Sequence, residues 1–316
     1  MLAEITKFHT YLQSRSLSEH TIESYLHDIN KFHDYCHGFF AVGNSPLTPP
    51  SLRGEGGSSE INHVSISEIT PDIIRNYILK LYDENLTSRT ISRNITVIRM
   101  FFKYLYIYEN LAKNPLKFIK NPKFTPKLPR FFTQDEMEKL CSLPDTDTFI
   151  GIRDRAILEL FYSSGLRISE LANMKLQNID FVEKTVTVIG KGQKRRTVPV
   201  TTVAIDFMDK YKKIRGFNVD TDIFFLTKDK KTFTTPKLYK IVKDYIKQIA
   251  LRSGYSPHTL RHSFASHMLS NGANLMAIKE MLGHASLSST EVYTHLTPDL
   301  IRKEYLEGHP RANKKL

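Results

Sequence analysis

The sequence SPHTLRHSFASH, residues 256–267, holds three histidines and one arginine within twelve residues. It opens with Ser256 and Pro257, two residue types that favour the N-cap and the first position of an α-helix. A helix is therefore predicted to begin here, with its polar side chains gathered near the start. That polar side carries His258, Arg261 and His262.

The opposite side of the same helix is apolar and includes the third histidine. It is formed by Leu260, Phe264, His267 and Met268. Because an apolar stripe at helical spacing normally faces a core, we predict that His267 is a buried histidine whose ring is hydrogen-bonded.

The polar side could bind either a metal or a phosphate. His258 and His262 are four residues apart, a spacing that can bind zinc from one face of a helix. A helix N-terminus, however, carries the positive end of the helix dipole and free N–H groups, and Arg261 adds a full positive charge. The stretch contains no carboxylate that would complete a zinc site. Phosphate is the favoured ligand, and a zinc enzyme built on His258 and His262 remains the alternative.

The composition favours a nucleic-acid partner. The chain has 316 residues, enough for about two domains, and its formal net charge of +12 suits a polyanion. Cys36 and Cys141 are the two cysteines, too few for a disulfide framework or a four-sulfur zinc site, so a reducing cytoplasm is expected. The N-terminus lacks the apolar core of a signal peptide, and no stretch is apolar enough to predict a membrane span.

The first third of the chain reads as helices, at residues 18–36, 70–86 and 87–111. The last of these has a basic side, for which we expect contact with a DNA backbone. That side carries Arg89, Arg93, Arg99 and Lys103. Between the first two helices, ten of the sixteen residues in NSPLTPPSLRGEGGSS are Gly, Pro or Ser. We predict a flexible insertion there, at about residues 38–62.

A mainly α fold in two domains is predicted. Residues 1–113 would form an N-terminal helical domain, and the proline-rich, basic residues 114–130 an interdomain linker. Residues 131–316 would form a second, mostly α domain with one small antiparallel sheet. Its two predicted strands, at residues 185–189 and 197–200, flank the basic turn GKGQKRR.

Four further side chains are candidates for the same site. Arg167 follows a Gly-Leu turn, and Glu170 is spaced to pair with it. Lys191 lies between two glycines at a predicted hairpin tip, without the spacing of a Walker A loop. His284 follows Gly283, which can end a helix, and Tyr293 falls in the second turn of the next predicted helix. Each alone is typical of a surface or packing position.

Together these motifs resemble the tyrosine recombinase (phage integrase) family. GLRISEL, GKG, HTLRH, LGH and YTH occur in the family's order. LSEHTIESYLHDINKF and SRTISRNITVIRMFFKYL resemble its helical core-binding (SAM-like) domain, and HPRA at 309–312 is similar to the ending of Xer-type members. The predicted insertion departs from the tighter connection usual in that type. The family's catalytic side chains, with its nucleophile last, correspond to Arg167, Lys191, His258, Arg261, His284 and Tyr293.

The resemblance implies a phosphoryl transfer that needs neither metal, cofactor nor ATP. Arg167 and Arg261 would neutralise the non-bridging oxygens of a DNA phosphate. Tyr293 would attack it, forming a 3′-phosphotyrosyl bond and releasing a 5′-hydroxyl. His258 would act as the base partner, His284 would bond a phosphate oxygen, and Lys191 would protonate the departing oxygen.

The resemblance also implies partners and a role. Strand exchange would pass through a Holliday junction in a tetramer on double-stranded DNA, either homomeric or formed with a paralogous recombinase, with the C-terminal helix docking on a neighbour. A cell-division DNA translocase would be a further partner. The favoured role is resolution of chromosome or plasmid dimers, and so chromosome partition at cell division. The alternatives are an integrase of a mobile element, a type IB topoisomerase-like enzyme and a non-catalytic DNA-binding protein.

Overall fold

The computed structural model describes residues 1–15, 17–41, 64–124, 130–190, 194–216, 221–250, 254–283 and 297–312. The chain divides into two compact units, Met1–Lys127 and Leu128–Leu316. The predicted mainly α, two-domain fold is confirmed. None of the helices in the described ranges is long and apolar enough to cross a membrane.

The first unit is helical, and threonine caps set where two of its helices begin. The Ile73 N–H donates to the hydroxyl of Thr70, and the Thr90 N–H donates to that of Thr87, which satisfies donors that a helix start leaves free. Aromatic rings, among them Phe32 and Tyr77, fill the core. The helices are α1 (Leu2–Ser14), α2 (Glu19–Ala41), α3 (Pro71–Asp83) and α4 (Ser88–Tyr108).

Two sequence-based boundaries in this unit need correction. Helix α2 continues to Ala41, so residues 38–41 are helical rather than part of the insertion; the remainder of the insertion lies outside the described residues. Leu116, placed in the linker by the sequence, is fully buried in the first core. The chain just after α4 is therefore a packed part of the first unit.

The basic side of α4 is also partly structural. Arg99 donates to the carbonyl oxygens of Leu116 and Ile119, at 3.1 and 2.8 Å, and to Oδ1 of Asn121 at 2.6 Å. Arg93 is bonded to the buried carboxylate of Asp28 at 2.9 Å. The guanidinium of Arg99 therefore holds the chain segment that follows α4, and contact of this basic side with DNA stays a prediction.

The second unit packs helices around a three-stranded antiparallel sheet of order β1-β2-β3. The first predicted strand is confirmed, whereas the second begins at Arg195, two residues earlier than predicted. In the register of β2 and β3, Val186 pairs with Val198 on the buried face. The elements are α5 (Gln134–Ser142), α6 (Phe149–Ser164), α7 (Ile168–Ala172), β1 (Ile179–Asp180), β2 (Thr185–Ile189), β3 (Arg195–Pro199), α8 (Thr202–Arg215), α9 (Thr235–Ile249), α10 (Pro257–Ser270), α11 (Leu275–Leu282) and α12 (Pro298–Gly308).

The prediction for His267 is confirmed. Its Nδ1 lies 2.7 Å from the hydroxyl of Tyr162, and its Nε2 lies 2.8 Å from the carbonyl oxygen of Phe132. Burial lowers the pKa of His267, and the hydrogen bond to Phe132 offsets part of that effect. The ring therefore joins α6 and α10 to the start of the unit as a neutral core group.

The described C-terminal segment packs on its own unit, and the docking of the C-terminal helix on a neighbour stays a prediction. The Tyr305 hydroxyl donates to the carbonyl oxygen of Ser163 at 2.9 Å. Arg311 forms a buried ion pair with Glu159 at 2.8 Å. The His309 ring stacks on Tyr305, and burial lowers the pKa of His309 to about 3, so its imidazole is neutral.

Each of the two cores contains one of the two cysteines. Cys36 is fully buried in the first unit and Cys141 in the second, and both thiols are free. Burial raises the pKa of Cys36 to about 12 and raises that of Cys141 as well.

Candidate active site

Arg261 is held at the meeting point of two helix ends. It projects from the first turns of α10, and its Nη1 and Nη2 donate at 2.6 Å to the carbonyl oxygens of Gly165 and Leu282. Gly165 is the left-handed C-cap of α6, and Leu282 is the last residue of α11. Carbonyls at helix ends lack partners within the helix, so this guanidinium, only 8% exposed, is anchored by the fold.

Arg167 reaches the same helix end from another direction. It caps α7, where its N–H donates to Oε2 of Glu170 at 2.7 Å and its Nη1 donates to Oε1 at 2.9 Å. Its Nη2 donates to the carbonyl oxygen of Gly283 at 3.0 Å. The pairing with Glu170 expected from the sequence is therefore present. Arg167 and Arg261 bond to consecutive carbonyls, which brings the two predicted phosphate-binding arginines together.

A third arginine, not singled out in the sequence, belongs to the same network. Arg196 on β3 donates from Nη1 and Nη2 to the two carboxylate oxygens of Glu170, each at 2.8 Å. Sequence reasoning placed this residue in the basic turn, because the strand was predicted to begin after it. Only the strand register reveals it: Arg196 lies two residues before the buried Val198 and therefore shares its inward face.

The network carries an excess of positive charge. The network holds the three guanidiniums of Arg167, Arg196 and Arg261 and the one carboxylate of Glu170, which gives 3 − 1 = +2. Burial, followed by the charges of Arg167 and Arg196, lowers the pKa of Arg261 to about 10, and the charge of Glu170 offsets part of that effect. Burial alone would raise the pKa of Glu170, but hydrogen bonds from Arg196 and Arg167 hold it below its usual value. A half-buried cluster with surplus positive charge favours an anionic ligand.

His258 and His262 are exposed residues of α10, the helix that also carries Arg261. The helix begins at Pro257, as predicted, so His258 is in its first turn. Burial, followed by the charges of His258 and Arg261, lowers the pKa of His262. Within the described ranges, no group of three or more His, Cys, Asp or Glu side chains is arranged to bind a metal.

The other three predicted site residues lie outside the described residues. They are Lys191, His284 and Tyr293. The elements that flank them are described: Lys191 follows β2, and His284 directly follows Gly283, the left-handed C-cap that ends α11 as predicted. The structure thus brings together Arg167 and Arg261 and places His258 on the same helix as Arg261. The catalytic roles of all six residues stay predictions.

Comparison with known proteins identifies the class. The model of the phage integrase family matches residues 130–299, and that of the phage integrase N-terminal SAM-like domain matches residues 5–109. The chain belongs to the phage integrase family, the tyrosine-type site-specific recombinases, as its five motifs predicted.

The relatives place it further within that family. The chain is 35% identical over 316 residues to the tyrosine recombinase XerC of Oceanobacillus iheyensis, covering 98% of this chain and 96% of that protein. It is 34% identical over 320 residues to the tyrosine recombinase XerC of Chlamydia caviae, covering 99% and 100%. The predicted Xer type is confirmed.

Solved structures share the fold. The XerH recombinase bound to its difH substrate, in a pre-cleavage complex, has a TM-score of 0.64 at 21% identity and covers 92% of this chain and 77% of that one. A lambda integrase dimer bound to a core site, residues 75–356, has a TM-score of 0.66 at 16% identity and covers 93% and 99%.

Proposed function

We propose that this recombinase cuts and rejoins double-stranded DNA through a 3′-phosphotyrosyl bond to Tyr293, and that it resolves chromosome or plasmid dimers at cell division. The convergence of Arg167 and Arg261 on consecutive carbonyls at the end of α11 carries this proposal. Two guanidiniums fixed before the reaction can stabilise charge on a phosphate without reorganising. The full-length similarity to XerC proteins supports the biological role.

The arginines retain donors for a phosphate. A guanidinium has five N–H groups, and the contacts above use two of those on Arg261 and two on Arg167. The remaining N–H groups are proposed to bind the non-bridging oxygens of the scissile phosphate. The lowered pKa of Arg261, near 10, still keeps its side chain charged at neutral pH.

The proposed step replaces one phosphoester bond with another. The phenolic oxygen of Tyr293 bonds to phosphorus, and the bond from phosphorus to the 5′ oxygen breaks. His258 takes the phenolic proton, Lys191 gives a proton to the 5′ oxygen, and His284 bonds a phosphate oxygen. Because the phosphotyrosyl bond conserves the energy of the broken bond, rejoining needs no ATP, and no step needs a metal.

The proposed assembly is a tetramer on DNA in the cytoplasm, where the chromosome lies, formed by this chain alone or with a paralogous recombinase. A lambda integrase tetramer bound to a Holliday junction shares the fold, with a TM-score of 0.65 at 16% identity. A cell-division DNA translocase is the further partner proposed for dimer resolution.

The substrate is defined first by mapping covalent protein–DNA adducts across the host chromosome. Dimer resolution requires adducts concentrated at one chromosomal locus. Adducts confined to the ends of a mobile element would assign integration instead. Adducts scattered without a preferred sequence, with relaxation of plasmids that lack the locus, would assign a topoisomerase-like activity.

The nucleophile is tested with a nicked duplex built on the mapped locus. We expect the wild-type protein to form a covalent complex, and Tyr293→Phe to form none while still binding the duplex, because the phenylalanine lacks the attacking oxygen. Tyr106→Phe is the control, since Tyr106 is an exposed tyrosine of the first unit. A covalent complex retained by Tyr293→Phe would reject this nucleophile. If a metal chelator leaves the cleavage rate unchanged, the protein is not a zinc enzyme built on His258 and His262.

A further inference from the structure

Three consecutive carbonyls at the end of α11 are each bound by a different arginine. The carbonyl oxygen of Met281 accepts from Nε of Arg196 at 2.8 Å. The next two, those of Leu282 and Gly283, accept from Arg261 and Arg167. The C-terminal turn of α11, directly before His284, is thus the common anchor of three guanidiniums, and Arg196 has no role in the proposed chemistry.

We propose that Arg196 is a positioning residue for DNA cleavage: by clamping Glu170 and the end of α11, it holds Arg167 in place to bind the scissile phosphate. This inference rests on the proposed function. It deepens that function by adding a residue outside the predicted catalytic set.

The first path from Arg196 to the site runs through Glu170. Both carboxylate oxygens accept from Arg196 on one side, and the same two oxygens accept from Nη1 and the backbone N–H of Arg167 on the other. The orientation of the carboxylate is therefore set from both sides. Without the bidentate bond from Arg196, the carboxylate loses the restraint that aims it at Arg167.

The second path runs through the backbone of α11. The Nε bond to Met281 fixes the helix turn whose next two carbonyls receive Arg261 and Arg167. Gly283 gives this arrangement its room, because a Cβ there would lie 3.0 Å from Nη1 of Arg196. Movement of this turn would displace both phosphate-binding arginines together.

The clamp requires an arginine. It uses three donors of one planar guanidinium, and the residue is only 9% exposed. A lysine carries the same charge, but its single ammonium cannot match both carboxylate oxygens and a carbonyl in this geometry. Arg196→Lys therefore removes the positioning contacts while it keeps the positive charge near Glu170.

The matched control is Arg195→Lys, the same change one residue earlier on β3, at an exposed position. Single-turnover cleavage of the nicked duplex from the mapped locus is measured together with the Kd for that duplex. For Arg196→Lys we expect cleavage to slow by about tenfold to a hundredfold, because a small misplacement of a catalytic group slows a reaction by that order. We expect its Kd to stay within about threefold of wild type, and Arg195→Lys to cleave at nearly the wild-type rate, since Arg196 acts on orientation rather than on overall charge.

A double mutant separates positioning from general stabilisation. In a Glu170→Gln background, Arg196→Lys should slow cleavage far less than it does in wild type, because the main path already lacks its carboxylate. Equal slowing in both backgrounds would overturn the proposal, as would an unchanged cleavage rate or a loss confined to the Kd. If Arg196→Lys fails to fold, Glu170→Asp tests the same contact from the side of the acceptor. Its side chain is shorter, so we expect this variant to cleave slowly as well. Wild-type protein that forms no covalent complex would instead overturn the proposed function, and this inference with it.

Discussion

Glu170 is the residue on which the charge balance of the site depends. Its carboxylate lies between Arg167 and Arg196, and its side chain is 6% exposed. It is the one negative charge of the arginine network, and it leaves that network with surplus positive charge for a phosphate. Its removal would leave the guanidiniums repelling one another in a site that water screens poorly.

Glu170 should therefore make stability depend on pH. Because its pKa is lower in the folded state than in the unfolded chain, the ionised carboxylate stabilises the fold above the unfolded pKa, and that contribution is lost as the pH falls through the folded pKa. We expect Glu170→Gln to lower the free energy of unfolding by about 3 kcal/mol at neutral pH, because breaking a buried ion pair has a cost of that order. Its free energy of unfolding should also fall less than that of wild type as the pH drops below 4.5, the ordinary pKa of a glutamate.

Denaturant unfolding at several pH values measures this effect. The control is Glu183→Gln, which removes a glutamate that is 59% exposed and paired with Arg302. That change should have little effect on stability at any pH, because exposed ion pairs contribute little. A Glu170→Gln variant as stable as wild type at neutral pH would contradict the role given to this carboxylate.

Residue-scale prediction from the sequence succeeded where contacts are local. The spacing of Arg167 and Glu170 indicated their pair, and helical spacing placed His267 in the core. Arg196 was missed because its partners, Glu170 and Met281, are distant in sequence. Nothing in the turn GKGQKRR distinguishes an inward-facing arginine from an exposed one until the strand register is known.

At the scale of elements, helix ends build the site. Gly165 ends α6 with a φ of 57°, and its carbonyl receives Arg261. A Cβ at this position would lie 2.4 Å from Cδ1 of Phe264 and 2.9 Å from Cδ2 of Leu282. Glycine is needed here both for the left-handed backbone and for the close packing of α6 against its neighbours.

Gly165→Ala should therefore destabilise the second unit and displace Arg261. We expect a loss of about 3 kcal/mol, from backbone strain and overpacking together. Gly272→Ala is the matched control, because Gly272 also has a positive φ, of 89°, but no atom lies within 4 Å of the Cβ position. Its cost should be about 1 kcal/mol, from the backbone alone. Thermal unfolding compares the two variants, and equal losses would show that the packing argument is wrong.

The boundaries of elements were predictable where capping residues mark them. Pro257 and Gly283 begin and end helices as the sequence indicated. The linker was misjudged because prolines signal a break in regular structure, not a loss of packing. The contacts of Arg99 with Leu116 and Ile119 join residues 17 and 20 positions apart, which no local pattern reveals.

At the scale of the whole molecule, the net charge of +12 should dominate the affinity for DNA. Binding that releases counterions from DNA weakens steeply with salt. We expect the affinity for the mapped duplex to fall by roughly a thousandfold between about 50 and 200 mM salt, with a linear dependence of log K on log salt. Fluorescence anisotropy titrations at several salt concentrations measure this slope, and a flat dependence would contradict phosphate-dominated binding.

The two cysteines have a practical consequence for following this enzyme on DNA. Cys36 and Cys141 are the only thiols in the sequence, and both are buried with raised pKa values. Thiol-reactive dyes attack the exposed thiolate, so the native chain should take up maleimide dye slowly while folded. A single cysteine introduced at an exposed, uncharged position, such as Val182 between β1 and β2, could then be labelled selectively without first removing the native pair.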